Sequence, residues 1–442
     1  MYVSFAVLKG MEDEVKTHLL RNDMAAVAEV IASNPLPNLS PDTLPDDVNA
    51  LHLAAILGYV DVAKLLVKSH ASLVNCQDST GWTPLLHAVA NGHVDVTELL
   101  LDCPVCDISL VDNFQQTALH VEAQSLSGSL QMTKLLMGHG LRGEAEDSES
   151  MTPFMRAVEA GNVQTAQYIF KVSGCRINAR SIHGKTVLHI AAEHCAEELL
   201  LWLLEVGAAI NALDNRFQTP LMVCVQQKRH PHLVFRIMKH LVDAGTLINA
   251  QDVNGNTALL LAMSNPAAIK KHHIEFLLIS NADANIPNRD GLTPLWQAIY
   301  DGIHYPDRLR IIRILLQENC YLEMTCRGRL LFTSGLDTVY CYENFLSPFE
   351  VAMDSGYYKA AKILMLAGCQ VKPEMRYDEH ASDIPAELQW FQYLVRNPVS
   401  LKHQCRLVVR CILGQSIQSK ARRLPLPEQL KFYILLDDLF AA

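Results

Sequence analysis

Apolar positions recur along this chain with the spacing of two short helices separated by a turn. In the segment that begins at Thr83, Leu85 and Ala88 fall on one side of a first predicted helix. Val96 and Leu100 fall on one side of a second predicted helix that follows about a dozen residues later. A polar turn containing glycine separates the two runs. The pattern therefore predicts a helix–turn–helix unit.

A threonine opens each such unit and reveals an internal repeat. Successive threonines are 34, 35, 34, 33, 38 and 36 residues apart, and Asn49 and Ser347 extend the series at its two ends. Threonine is a good helix N-cap, and Pro84 suits the first helical position because its missing N–H is not needed there. The repeated residues are Thr83, Thr117, Thr152, Thr186, Thr219, Thr257 and Thr293.

Turn residues precede the threonines. An aspartate lies five residues before the threonine in most units, and a glycine such as Gly81 often follows it, which predicts a hairpin turn between units. These aspartates are Asp78, Asp112, Asp147, Asp214 and Asp252. One helix pair cannot bury both of its faces, so we expect the units to stack into a solenoid with a continuous core.

The repeated segment, as in Gly81-Trp-Thr-Pro-Leu-Leu, resembles the ankyrin repeat and its signature T-P-L-H-x-A. The resemblance implies an all-α solenoid of about nine repeats over residues 49–370, after an N-terminal helical cap and linker at 1–48. The third repeat has Gln115 where glycine is expected. An insertion near 323–345 is expected to be a loop on the hairpin side, either functional or merely covering the end of the stack.

Three histidines occupy the histidine position of the signature. They are His52, His120 and His189. We expect each to make a structural hydrogen bond to its own threonine or to a neighbouring loop. They do not indicate a metal site.

The repeat register is lost in residues 371–396, which we interpret as a connecting segment, and a second pattern follows at 397–442. Four apolar residues, at i, i+4, i+7 and i+11, form one stripe on a predicted helix. They are Leu401, Cys405, Val408 and Ile412. Farther along, Pro425 and Pro427 force an extended entry into another predicted helix.

These two halves resemble the SOCS box, a small three-helix module. Ser400, Leu401, Cys405 and Val409 match S-L-x-x-x-C-x-x-x-V, and the segment 424–433 matches L-P-L-P-x-x-L-x-x-Y. The whole chain is therefore similar to the ankyrin-repeat and SOCS-box family.

The resemblance implies a non-catalytic adaptor that joins a protein substrate to a cullin–RING ubiquitin ligase. The first half of the box would bind elongin B/C through Leu401, Cys405, Val408, Val409 and Ile412. The second half would bind cullin-5, which carries a RING protein, through Leu424, Pro425, Leu426, Pro427, Leu430 and Tyr433. The alternative is an ankyrin scaffold or inhibitor without a ligase role, whose tail only caps the solenoid.

Charge, hydropathy and cysteine content disfavour several other classes of function. The net charge is −10, with 37 basic residues spread along the chain, which disfavours a nucleic-acid binder. No apolar run is long enough to span a membrane. The 12 cysteines are scattered within apolar runs, which suits reduced thiols in the cytosol or nucleus. Cys103 and Cys106 form a C-x-x-C without a second ligand pair, and we find no catalytic motif, metal site or cofactor motif.

The hairpin tips supply the candidates for substrate contact. Aromatic and arginine side chains are frequent hot spots in protein interfaces. The candidates are Trp82, Phe114, Arg216, Phe217 and Arg289. The alternative for any one of them is an uninvolved, solvated loop residue.

Overall fold

The computed structural model describes most of the repeat region. It covers residues 48–125, 128–228, 230–263, 267–302, 308–317, 320, 330–334, 338–342, 347–354, 357–367 and 369. The N-terminal cap predicted at 1–48, save its last residue, and the predicted segments 371–396 and 397–442 lie outside the described residues. The chain divides into two compact units between Ala209 and Ile210.

The described part of the first unit consists of paired helices. Their bounds are α1 Ala50–Leu57, α2 Val60–Ser69, α3 Pro84–Ala90, α4 Val94–Leu101, α5 Ala118–Gln124, α6 Leu130–Gly138, α7 Pro153–Ala160, α8 Val163–Ser173, α9 Val187–Glu193 and α10 Glu197–Glu205. A short 3₁₀ turn at Ala71–Leu73 follows α2. The odd-numbered helices pack side by side, as α1 does against α3 and α7 against α9. This is the stacked helix-pair architecture that the repeat predicts.

The threonines begin the first helix of each pair. The Thr83 hydroxyl accepts a hydrogen bond from Leu86 N at 3.3 Å, and Thr152 does the same for Met155 N at 3.3 Å. Helix α3 begins at Pro84 and ends at Ala90, Asn91 caps its C-terminus, and the following Gly92 has φ +73°. Capping, proline and glycine therefore fix the helix bounds as the sequence predicts.

The core of the first unit lies between the two rows of helices. Alanines with no exposed surface allow the odd-numbered helices to approach closely, as at Ala88 and Ala157. A ring cluster fills the space under α7, where the Phe154 ring centroid lies 5.5 Å from Phe170 and 6.2 Å from Trp202. Burying a side chain such as Phe154 contributes roughly 1.5–3 kcal/mol.

The second unit repeats the paired arrangement. Its described helices are α11 Pro220–Val225, α12 Pro231–Asp243, α13 Ala258–Met263, α14 Ala267–Ile279, α15 Pro294–Gly302, α16 Arg308–Gln317, α17 Pro348–Asp354 and α18 Tyr358–Leu366. Within this unit too, the first helices of successive pairs pack together, and so do the second helices.

The insertion before α17 contains β structure, which the prediction of a loop missed. Strands β1 Leu330–Ser334 and β2 Thr338–Tyr342 pair antiparallel, with Leu330 opposite Tyr342 and Phe332 opposite Tyr340. Aromatic and β-branched residues such as Val339 and Tyr340 favour an extended backbone, which explains the hairpin. The helical fold class is confirmed, with this two-stranded hairpin added to it.

Candidate protein-binding surface

Five-residue turns link successive helix pairs, and we call them the tips. They begin at Asp78, Asp112, Asp147, Ser181, Asp214, Asp252 and Asn288. In the first of them, Asp78 Oδ1 accepts hydrogen bonds from Thr80 N and Trp82 N, each at 2.9 Å. The same pair of amide bonds recurs at the other aspartates, for example at 2.8 Å from both Arg216 N and Gln218 N to Asp214. The aspartates are therefore buried organisers of the tips.

Neighbouring tips are joined by backbone hydrogen bonds. In the first unit Asn113 N donates to Thr80 O at 3.1 Å, and Ser148 N donates to Phe114 O at 2.8 Å. The approach is close enough that a Cβ atom on Gly81, whose φ is +81°, would lie 2.8 Å from Asn113 N. In the second unit Val253 N donates to Arg216 O at 2.8 Å, and Arg289 N to Asn254 O at 2.9 Å. Within each unit the tips thus form a connected row.

The signature histidines also join repeats, as predicted. His120 Nδ1 accepts from Thr117 N at 3.2 Å, so its Nε2 carries the proton and donates to Met151 O at 3.0 Å. His52 Nε2 lies 3.1 Å from both Cys76 O and Trp82 O. Burial lowers the pKa of His52 and of His120, so both rings are neutral near pH 7. Each ring is a neutral link from the start of a helix to the next tip.

Two tips of the first unit rest on buried charge. His87 Nε2 lies 2.7 Å from Asp78 Oδ2. Burial would raise the pKa of Asp78, but hydrogen bonds from Thr80 and His87 hold it below its ordinary value. Burial lowers the pKa of His87 despite this carboxylate. The pair is therefore a charge-assisted hydrogen bond to a mainly neutral imidazole.

Arg156 occupies the equivalent position under the third tip. Its guanidinium reaches Asp147 Oδ2 at 2.6 Å, Glu149 Oε2 at 2.7 Å and Glu159 Oε2 at 2.9 Å. Burial alone would lower the pKa of Arg156, but the three carboxylates raise it. A cation held in this way fixes the acidic tip from below.

A second buried charge of the first unit lies on α5. Glu122 is 2% exposed and stands in the helix position that alanine holds at Ala88 and Ala157. Its carboxylate accepts from Ser129 N at 2.6 Å. Burial raises the pKa of Glu122 to about 7, although that hydrogen bond lowers it. Sequence reasoning missed Glu122 and Arg156, and the signal that could have found them is a charged residue at a small or apolar position of the repeat.

The first unit also has a cavity of about 320 Å³ between the turns that follow α7 and α9. Three carboxylates line it, those of Glu159, Glu197 and Glu198. The opening is acidic, in keeping with the 17 Asp and Glu against 9 Lys and Arg in residues 48–209. A partner that binds at this cavity meets negative charge.

The first-unit candidates for substrate contact differ in their solvent exposure and in their contacts within the protein. Phe114 is 65% exposed, at the third position of its tip. Trp82 is half-buried at the fifth position, where its ring lies 5.0 Å from His87 and its Nε1 donates to Asp112 Oδ2 at 3.3 Å. The structure therefore gives Trp82 a supporting role inside the tip and leaves Phe114 open to solvent.

The second-unit candidates are all exposed. Arg216 and Phe217 are the third and fourth residues of one tip, and Arg289 is the second residue of the tip two repeats later. Phe217 is 51% exposed and has φ +57°. Among the residues that the structure describes, neither arginine side chain forms a hydrogen bond or an ion pair.

Other chemistry finds little support in the described residues. No group of three or more His, Cys, Asp or Glu side chains there could hold a metal ion. Burial and the neighbouring Cys103 raise the pKa of the Cys106 thiol to about 11, so it is protonated and unreactive near pH 7. No helix in the described part of the chain is long and apolar enough to cross a membrane. The elongin-binding and cullin-binding residues predicted in the tail lie outside the described residues.

Comparison with known protein families defines the class of this chain. The family described as ankyrin repeats (3 copies) matches residues 4–112, 103–181, 128–214 and 221–327, which together span more than half of the chain. The SOCS box family matches residues 397–435. The class is therefore a repeat protein in which ankyrin repeats are followed by a SOCS box.

Individual relatives are similar to parts of the chain. Human ankyrin repeat and SOCS box protein 16 is 27% identical over 60% of this chain and 62% of its own length. A transient receptor potential cation channel subfamily A member 1 homolog of Caenorhabditis elegans is 30% identical over 39% of this chain, which spans only 14% of that relative. Human inversin is 29% identical over 55% of this chain, and the matched part makes up only 22% of the length of inversin.

Among solved structures, the human ASB11 ankyrin repeat domain covers 53% of this chain and 98% of its own, at 23% identity and a TM-score of 0.45. This chain belongs to the ankyrin-repeat and SOCS-box family.

Proposed function

We propose that this chain is the substrate-recognition adaptor of an elongin B/C–cullin-5 ubiquitin ligase that includes a RING protein. The ankyrin repeats hold a target protein, and the SOCS box joins that target to the ligase. The chain has no catalytic role of its own, because the RING partner transfers ubiquitin directly from its conjugating enzyme. The held target is thereby marked for degradation.

The observation that carries this proposal is the order of two matches along one chain. The SOCS box match at 397–435 follows the ankyrin repeats and contains both halves of the tail pattern. The first half includes Leu401 and Cys405, and the second runs from Leu424 to Tyr433. Tips with exposed aromatic and arginine side chains support the binding role of the repeats.

The elongin contact follows the physics of a helix that binds in a groove. Leu401, Cys405, Val408 and Ile412 form the apolar stripe of that helix, and Val409 completes the motif. We assign Leu401 as the anchor and Cys405 as a small apolar residue that permits close approach. Burying one leucine is worth roughly 1.5–3 kcal/mol, so its loss weakens binding about tenfold or more.

The cullin contact belongs to the second half of the box. Pro425 and Pro427 hold an extended segment before the helix that carries Leu430 and Tyr433. Leu424 and Leu426 present apolar side chains from that segment. We assign this half to the selection of cullin-5.

Affinity purification of the tagged full-length chain from cells tests both assignments. The Leu401→Pro, Cys405→Phe double variant is expected to lose elongin B/C and cullin-5, which the wild type retains. His403→Ala, on another side of the same predicted helix, is the matched control and is expected to retain both. If the wild type retains neither partner, the ligase role is wrong and the scaffold or inhibitor remains. If both forms retain elongin equally, the assignment of the site is wrong.

A narrower variant separates the two halves of the box. Pro425→Ala with Pro427→Ala is expected to keep elongin B/C and to weaken cullin-5, because it frees the extended segment alone. Loss of elongin as well would contradict the division of the tail.

The described cysteines are free thiols, which supports placement of the adaptor in a reducing compartment such as the cytosol or nucleus.

A further inference from the structure

The tip that begins at Asp214 holds a bulky side chain in a backbone conformation suited to glycine. Phe217 has φ +57°, in the left-handed region where an L-residue other than glycine is strained by about 1–2 kcal/mol. The equivalent position is glycine in four other tips and a small or polar residue with positive φ in the remaining two. These residues are Gly81, Gly184, Gly255 and Gly291, and Gln115 (φ +60°) and Ser150 (φ +53°). Phe217 is thus the one bulky aromatic residue at this position of the described tips. Glycine would therefore suit the backbone better here.

The surrounding contacts fix this strained residue in place. Phe217 N donates to Asp214 O at 3.0 Å, and Asp214 Oδ1 accepts from the amides on either side, Arg216 N and Gln218 N, at 2.8 Å each. Arg216 O accepts from Val253 N of the next tip at 2.8 Å. These hydrogen bonds fix the backbone of the turn at Phe217, so the ring needs no backbone rearrangement to contact a partner.

The fold covers the Phe217 side chain only in part. The residue is 51% exposed, and it has no aromatic partner among the residues that the structure describes. A strained and exposed aromatic residue points to a contact outside the chain, because a bound partner can repay the strain that the isolated fold does not. Phe217 fits the profile of a rigid anchor at the centre of an interface.

The charges beside Phe217 indicate what that partner carries. Arg216 directly precedes Phe217 in the chain and is exposed, as is Arg289 in the same row of tips. The carboxylates of Asp214 and Asp252 are buried and accept hydrogen bonds from tip amides. The exposed acid in this row is Asp290, next to Arg289. Guanidinium groups bind carboxylates through paired, parallel hydrogen bonds.

We propose that the second-unit tip row, residues 214–218, 252–256 and 288–292, binds an acidic segment of the substrate protein that carries a large apolar side chain. That side chain packs on Phe217, one Asp or Glu near it pairs with Arg216, and another, farther along the segment, pairs with Arg289 two tips away. The proposal deepens the proposed function, since it names the chemistry of the substrate that the adaptor holds. The acidic excess of residues 48–209 disfavours such a segment on the first unit.

Selection from a phage library of random peptides on the immobilised full-length chain tests the proposal. The wild type is expected to enrich peptides in which Asp or Glu flank Leu, Phe or another large apolar residue. Arg216→Glu with Arg289→Glu is expected to enrich basic peptides instead. Arg142→Glu with Arg176→Glu reverses two exposed charges in the first unit and is the matched control, expected to select as the wild type does. No acidic enrichment by the wild type, or no change in the Arg216, Arg289 variant, overturns the proposal.

Phe217→Gly tests the anchor with one enriched peptide, measured by fluorescence polarisation. Binding is expected to weaken about tenfold, as for a typical hot-spot residue, while the melting temperature stays equal or rises. Gln115→Gly relieves a φ of +60° at the equivalent position of the first unit and is expected to leave peptide binding unchanged. If Phe217→Gly lowers the melting temperature and leaves binding intact, the ring serves the fold and the proposal is wrong.

The failure of this proposal can be told from the failure of the adaptor role. Each variant is also tested for retention of elongin B/C, which the tip substitutions are expected to leave intact. Retained elongin without acidic peptide selection removes the substrate assignment alone. Peptide selection without elongin removes the ligase role and leaves the second-unit tip row as a binding surface.

Discussion

The tips of the two units use charge in opposite ways. In the first unit the side chains of His87 and Arg156 lie beneath the tips and bind the carboxylates of Asp78 and Asp147. These polar contacts are made within the protein and are not available to a partner. In the second unit the aspartates bind backbone amides, while Arg216 and Arg289 extend into solvent. Residues 210–369 carry 15 Lys and Arg against 14 Asp and Glu, without the acidic excess of the first unit. The same turn geometry thus occurs in two forms. In the first unit side chains beneath the tips bind the turn aspartates, and in the second unit the tips carry exposed arginines.

Removal of a braced aspartate has the largest expected effect. Asp147→Ala removes two amide contacts and the closest partner of the buried Arg156, so we expect a loss of about 3–4 kcal/mol in the free energy of unfolding. Asp252→Ala, which leaves no buried cation behind, is expected to cost about 1–3 kcal/mol. Urea unfolding with hydrogen exchange of the tip amides measures both. Equal costs would show that the cation adds nothing to the turn.

Glu122 makes the stability of the first unit depend on pH. Its pKa is about 7 in the folded chain and near 4.5 when exposed, so the folded state holds a proton that the unfolded state releases between these values. Stability therefore falls as pH rises from 4.5 to 7 and stays lower above that range. Glu122→Gln keeps an acceptor for Ser129 N and removes the charge. We expect it to stabilise the chain by up to about 3 kcal/mol near pH 8 and by nothing near pH 4.5.

Urea midpoints across that pH range measure the effect. Glu98→Gln, at an exposed carboxylate of the same unit, is the control and is expected to leave the pH dependence as it is in the wild type. A Glu122→Gln chain with the wild-type pH dependence would mean that the carboxylate ionises freely in the fold.

The smallest expected effect is at Lys185. Its amine lies 2.6 Å from Glu193 Oε2, but the two side chains are 28% and 33% exposed. Partly exposed pairs contribute about 0.2–1 kcal/mol and weaken with salt. Lys185→Ala is therefore expected to lower the free energy of unfolding by less than about 1 kcal/mol at low ionic strength, and by less still in high salt. A loss in the free energy of unfolding as large as that for Asp147→Ala would contradict this prediction and show that the Lys185–Glu193 pair stabilises the fold as strongly as a buried pair.

The sequence predicts those features that every repeat shares. The threonine caps, the histidine links and the turn aspartates recur at fixed spacing, and each has one physical role, so one motif predicts all copies. What it does not predict are the departures. Glu122 stands where alanine is usual, and Arg156 stands where several other repeats have an apolar residue. The partners of these charges are not evident from the repeat motif and are brought to them by the fold.

The tip candidates show the same limit. Trp82 and Phe114 look alike in the sequence, since each is an aromatic residue shortly before a threonine. Their places within the turn differ by two residues, which directs Trp82 onto His87 and Phe114 into solvent. The strain at Phe217 follows likewise from its position in the turn. The strands at 330–334 and 338–342 were missed because a long departure from the repeat was taken to have no regular structure.

The backbone hydrogen bonds between tips have a consequence for how such a protein diverges. Asn113 N to Thr80 O and Val253 N to Arg216 O join neighbouring repeats without using a side chain. Mutations at the exposed tip positions therefore leave these links intact, and new side chains can accumulate there at little risk to folding. A duplicated gene of this kind can therefore diverge at a few tip residues while its stacked architecture stays unchanged.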